Sequence, residues 1–190
     1  MKKSCVTLAL ICFCSGLAWA QGYPTVGFYD TMEYTYCYGD VEVLVAKDIY
    51  GAIWLPPEIA AITACEFAIS NLPESGPLGI RTDYWTTPLV IGEPVWGIAL
   101  AWSEPQQGPW VLIGRLNFFM IDPAWIGDDH HMLVVETQGS YNLAIVDDHF
   151  EEHDAIGGYY HFNCTDVLDC GCFHCTGTAV TSWGSLKALY

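Results

Sequence analysis

Short apolar runs recur along this chain too closely for helices to fit between them, and that spacing constrains the fold more than any other feature. The runs fall at residues 25–29, 41–47, 62–70, 95–102, 110–120, 132–137, 143–146 and 158–162. Segments of this length, rich in β-branched and aromatic residues and alternating with period two, read as strands. Between them lie Leu55-Pro56-Pro57, the stretch 71–77 and the stretch 104–109, whose Pro, Gly and Asn residues bend chains and stop ladders. A helical period holds only near the end, at 182–190, where a short C-terminal helix is expected. About eight strands in one domain predict an all-β fold, an antiparallel β-sandwich of Ig-like or jelly-roll type.

The first twenty residues carry an address. Lys2 and Lys3 precede an apolar run over 6–13, and Ala18-Trp19-Ala20 supplies small residues for a signal peptidase, so cleavage after Ala20 is expected. The apolar run is too short to span a bilayer, and no later stretch is long enough either. Residues 21–190 are therefore expected to form a single domain that is secreted, periplasmic or held at the cell surface. The whole chain has a formal charge of −16 and 22 acidic residues. Beyond Ala20 its strong bases are Lys47, Arg81, Arg115 and Lys187. Nucleic acid is excluded as a partner, because phosphate binding requires clustered bases. With 52% hydrophobic and only 15% charged residues, the chain has enough apolar surface to fold.

Six cysteines follow the leader: Cys37, Cys65, Cys164, Cys170, Cys172 and Cys175. In an exported chain an even number points to disulfides. Cys37 and Cys65 stand apart, so the simplest pairing joins them and leaves two local bridges among the other four. The competing arrangement is a zinc site using Cys164, Cys170, Cys172, His174 and Cys175, but these residues lack the two separated knuckles of a zinc ribbon.

The strongest chemical hint is a pair of acidic, histidine-bearing runs. Asp128, Asp129, His130 and His131 form one; Asp147, Asp148, His149, Glu152, His153 and Asp154 belong to the other. Carboxylates at this density repel one another, and Ca²⁺ or Zn²⁺ would relieve the repulsion. If the strands starting near Met132 and Leu143 pair as a hairpin, the two runs lie at the same end and share an ion. The plainer reading is two solvated turns, with no cofactor expected. His149-Phe150-Glu151-Glu152-His153 also matches the inverted zinc-protease pattern, which needs a helix where the flanks here look strand-like. No nucleophile elbow, phosphate loop or dinucleotide glycine pattern occurs. Most of the tryptophans are expected in the core. Tyr84, Trp85 and Trp125 fall in turn-like contexts and are the candidates for stacking on a sugar ring.

The ending Thr181-Ser182-Trp183-Gly184-Ser185-Leu186-Lys187-Ala188-Leu189-Tyr190 resembles that of a group of uncharacterised secreted bacterial proteins, which close on a T-W-G-x-[IL]-K-[AS]-L-Y-like segment after a Cys-rich stretch. Cys65-Glu66-Phe67-Ala68-Ile69-Ser70 and Leu112-Ile113-Gly114-Arg115-Leu116-Asn117-Phe118 look like theirs too, and the final Arg such tails often carry is missing here. The run 39–70 is also similar to cohesin-type sandwiches. The resemblance implies a bacterial exported β-sandwich and brings no activity with it. The expectation is an exported, disulfide-stabilised, non-enzymatic binding or structural module with an extracellular protein or carbohydrate as ligand. The alternatives are a metal-dependent hydrolase using 128–154 and a carbohydrate-binding module.

Overall fold

The segment Trp110–Met120 shows why this chain builds sheets: its side chains alternate between the interior and a half-exposed surface almost without a break, the signature of a strand with one face on a core. The computed structural model describes residues 22–165. The leader, the expected C-terminal helix, Cys170, Cys172, His174 and Cys175 lie outside the described residues. Within them the chain runs as β1 (Thr25–Tyr29), β2 (Tyr38–Gly39), β3 (Ala46–Trp54), β4 (Ala61–Ser70), β5 (Gly79–Trp85), β6 (Leu89–Glu93) and β7 (Gly97–Gln107). It continues as β8 (Trp110–Met120), a 3₁₀ turn (Pro123–Trp125), β9 (His130–Val135), β10 (Ala144–Asp147), β11 (Glu152–Asp154), β12 (Ile156–Gly157) and β13 (Tyr159–Phe162).

These strands form a two-sheet β-sandwich. One sheet has the order β12-β1-β3-β8-β5. The other runs β11-β10-β4-β9-β13-β2, with β7 also paired to β4 and β6 paired to β7. Pairing is antiparallel except at β1 with β12 and β13 with β2. Phe28, Ile49, Ile53, Val111, Leu116 and Phe118 from the first sheet meet Phe67, Ile69, Ile98, Leu100, Ile145, Tyr160 and Phe162 from the second. Each such side chain contributes about 1.5–3 kcal/mol by leaving water. The rings of Phe118 and Phe162 lie edge to face at 5.1 Å across the seam, and Tyr160 packs on Phe162 at 4.9 Å.

Several expectations are corrected. The run 41–47 is mostly loop, because Leu44 has φ 62° and the strand starts at Ala46. Residues 104–107, expected as a spacer, continue β7. Pro105 lies where the register with β4 slips, between Gln106 opposite Ile62 and Ala101 opposite Ala64, and a slip leaves room for a residue without an N–H. Strands β5, β6 and most of β3 are absent from the sequence pattern. β5 carries Arg81 and Asp83 side by side as an ion pair at 2.9 Å, which hides an edge strand from a hydrophobic pattern.

Cys65 is not joined to Cys37. It is a free thiol, 2% exposed, between the sheets, and burial pushes its pKa far up. Cys37 and Cys164 are disulfide-bonded. Two outcomes follow. The Cys65 thiol should resist a thiol-specific chromophore in the folded protein and react once denaturant is added without reductant. Phe67→Ala, at a fully buried ring, should lower unfolding free energy in a urea titration by about 3–5 kcal/mol.

Candidate functional site

The inward side chains of β4, β7 and β10 are core residues: Cys65, Phe67, Ile98, Leu100 and Ile145. Because successive side chains of a strand point to opposite faces, their neighbours form the outer surface of this sheet. The register sets them in rows. Leu89 lies opposite Ala101, Ala101 opposite Ala64, and Ala64 opposite Val146. The next row is Ile91, Ala99, Glu66 and Ala144. Alanine is depleted in strands because it packs little against its neighbours; here it produces a shallow apolar floor between larger side chains. Leu89 is 55% exposed, Ile91 65%, and Trp96, in the β6–β7 turn, 57%.

One edge of this floor is fixed by polar contacts. Gln138 N–H donates to the Trp96 carbonyl at 2.8 Å, tying the loop after β9 to the β6–β7 turn. Gly97 has φ 149°, and a Cβ there would come within 2.8 Å of Thr137, so glycine is required for the approach. The Thr137 and Ser140 hydroxyls donate to Glu66 Oε1, and Asn142 Nδ2 reaches Oε2 at 3.5 Å. None of these residues stood out in the sequence. The available signal was the apolar run Leu89-Val90-Ile91 and the outward alanines of Gly97-Ile98-Ala99-Leu100-Ala101, a pattern apolar on both faces of a strand.

The two acidic runs do not meet. β9 and β10 both pair with β4, at its opposite ends: Leu133 lies opposite Ser70 and Asp147 opposite Ile62. Eight residues of strand separate these positions by about 26 Å. The hairpin that would have let the two runs share an ion does not form. In the first run His130 Nε2 lies 2.7 Å from the Asn71 carbonyl oxygen, and the His131 ring packs edge to face on His161. Asp129 accepts from the Thr165 N–H and hydroxyl, which hold its carboxyl below the ordinary range. Asp129, His161 and Cys164 bring donor atoms within 4.8 Å of one another, but Cys164 is disulfide-bonded and no thiolate is on offer. Asp128 is exposed beside them.

In the second run Asp147 ends β10 and organises the turn after it. Its Oδ1 accepts from the backbone N–H groups of His149 and Glu151 at 2.8 and 2.9 Å, and Oδ2 lies 2.9 Å from His153 Nε2. His149 pairs with Asp148 at 3.1 Å. Asp147, Glu151 and His153 form one group with the spacing of metal ligands, and Asp147, Asp148 and His149 form another. Glu152 and Asp154 are exposed on β11. The segment matching the inverted protease pattern is this turn plus β11, and Phe150 within it has φ 64°, so its two histidines lack the helical spacing that pattern requires.

The stacking candidates divide. Tyr84 is 48% exposed, with the Arg115 guanidinium 4.4 Å from its ring centre. Trp85 packs inward on Phe67. Trp125 covers Gly79, where a Cβ would come within 1.9 Å of the indole, and its Nε1–H donates to the Glu74 carbonyl at 2.7 Å. Both tryptophans are partly buried and packed against the core.

The His153 hydrogen bond, aided by the two turn N–H groups, lowers the Asp147 pKa. A carboxylate depressed in the folded state stabilises fully above its unfolded value of about 3.9 and loses that contribution as pH falls through the lower folded value. Asp147→Asn should therefore be less stable than the parent near neutrality. Denaturant titrations across the acid range should show the gap closing below about pH 4.

No family model matches this chain, and no curated protein does. Several solved structures do. A cohesin module from the Clostridium perfringens ATCC13124 family 33 glycoside hydrolase superposes with a TM-score of 0.47 at 12% identity, over 75% of this chain and 97% of that one. CaCohA2 from Clostridium acetobutylicum gives 0.45 at 8%, over 80% and 96%. A non-cellulosomal cohesin from the archaeon Archaeoglobus fulgidus gives 0.42 at 10%, over 74% and 91%. At TM-scores of 0.47 or less and identities of 12% or less, these likenesses assign the chain neither a family nor an activity.

Proposed function

We propose that this chain is an exported, disulfide-stabilised binding module that docks a partner protein on the outer face of β6, β7, β4 and β10. The observation that carries this reading is the exposed apolar floor: Leu89, Ile91 and Trp96 standing in solvent beside Ala99, Ala101 and Ala64. Contiguous apolar surface of this kind marks interaction sites. A flat sheet face of small side chains lets a partner approach closely, with the larger residues at its border as anchors. The disulfide-bonded state of Cys37 and Cys164 is consistent with the oxidising destination that the leader implies.

The test compares capture of proteins from the native extracellular fraction by the parent chain, by Leu89→Asp/Ile91→Asp, and by Ile80→Asp on the opposite sheet. Loss of a captured species by the first variant and its retention by the second is expected, with circular dichroism showing both folded. Equal capture by all three would sink the docking face.

A second reading is favoured by one observation on the other sheet. Tyr50, Arg115 and Tyr84 lie in one row across β3, β8 and β5. Next to them Asp48 accepts from Arg115 at 2.9 Å and from Asn117 at 2.7 Å. Aromatic rings beside fixed polar groups suit a saccharide. On this reading Tyr84→Ala abolishes retention of the protein on the polysaccharide that retards it in affinity electrophoresis. If no polysaccharide in a broad panel retards the parent, the carbohydrate reading fails.

A further inference from the structure

We infer that a cleft at the border of the apolar floor receives a basic side chain of the docked partner, an inference that rests on the docking reading above. The cleft has a volume of about 400 Å³ and lies between the β6–β7 turn and the loop after β9; Ile91, Glu93, Trp96, Ala99, Glu66 and Ser140 are among its lining residues. It combines a half-exposed indole, an aliphatic wall and two carboxylates. That combination matches the flexible apolar stem and cationic head of Lys or Arg, with the indole as a cation–π surface.

The charge distribution supplies an independent reason. The strong bases among the described residues are Lys47, Arg81 and Arg115, and each is committed to an aspartate: Asp30, Asp83 and Asp48. No ion pair among the described residues includes Glu66 or Glu93. Glu66 is instead held by neutral donors. Two hydroxyls occupy Oε1, while Oε2 has only the 3.5 Å approach of Asn142. An oriented carboxylate with no internal counter-charge and an acceptor site to spare is prepared for a cation from outside, and charge-assisted bonds of this type are the strong ones. The apolar floor then excludes water around the head group, while Glu93, on the exposed edge strand, adds attraction that salt weakens.

The probes are N-acetyl-L-arginine amide and N-acetyl-L-lysine amide, with the citrulline amide as the uncharged isostere, titrated into ¹⁵N-labelled full-length mature protein. Saturable shifts of the Trp96 indole N–H and the Gln138 and Ser140 amides are expected with the two cations and not with citrulline. Glu66→Gln retains an amide oxygen for the Thr137 and Ser140 hydroxyls and should fold. It should weaken cation binding about tenfold or more. Glu93→Gln should weaken it less and flatten its salt dependence. The absence of saturable shifts, equal shifts with citrulline, or unchanged binding in Glu66→Gln would each overturn the inference. Failure here alongside capture that still depends on Leu89 and Ile91 leaves the docking face standing without a cation cleft. Cation binding with capture indifferent to those residues removes the face and retains the cleft.

Discussion

The fold depends on an aromatic seam between its two sheets. Phe118 from one sheet and Phe162 from the other meet edge to face, Tyr160 packs against Phe162, and Trp125 closes on Phe118 from the 3₁₀ turn. Rings of this size remove large apolar areas from water, and their edge-to-face arrangement adds directional attraction. Tyr160 is fully buried, and its hydroxyl donates to Asp30 at 2.8 Å. Burial and that carboxylate hold the phenol protonated far beyond its ordinary range. Asp30 in turn pairs with Lys47. The Tyr160 hydroxyl is thus matched through Asp30 to a surface ion pair, as a low-dielectric interior demands. The close approach of β2 to this network requires Gly39, where any Cβ would collide with Asp30 and the Tyr160 hydroxyl.

With the core secured at the seam, the two outer faces are free to differ. The face carrying Tyr84 is polar at its centre, its basic residue neutralised by Asp48. The face carrying Leu89 and Ile91 is apolar, and its Glu66 and Glu93 carboxylates take part in no ion pair among the described residues. Among the described residues the strong bases lie where they neutralise the chain's own aspartates, so negative potential accumulates around the other face. Surface charge and apolar exposure together therefore distinguish one side of the sandwich from the other.

Fold class was legible because alternation of period two is a local property. Residues 25–29 and 110–120 became β1 and β8 with those boundaries, since the inner neighbours of each strand need an apolar partner whatever the topology. Edge strands escaped: β5 places Arg81 and Asp83 half-buried where a core strand would carry apolar residues, and Gly92 in β6, at φ 90°, interrupts the pattern. The candidate sites were legible as residues and illegible as places. Asp147 and His130 are neighbours in composition, yet they flank opposite ends of β4. The pairing of Cys37 with Cys65 followed from isolation along the chain, whereas Cys65 turns inward between Leu100 and Ile145, its partners in register.

By itself the sequence determined an all-β fold and a strongly acidic net charge, because hydrophobic period and net charge are sums over neighbouring residues. Only the tertiary structure decided that Trp85 and Trp125 pack against the core, that the two acidic runs are apart, and that Ala64, Ala99, Leu89 and Ile91 share one surface. Those facts depend on which strand lies beside which and in what register. A strand's partner is chosen by contacts between residues tens of positions apart, where local pattern carries no information.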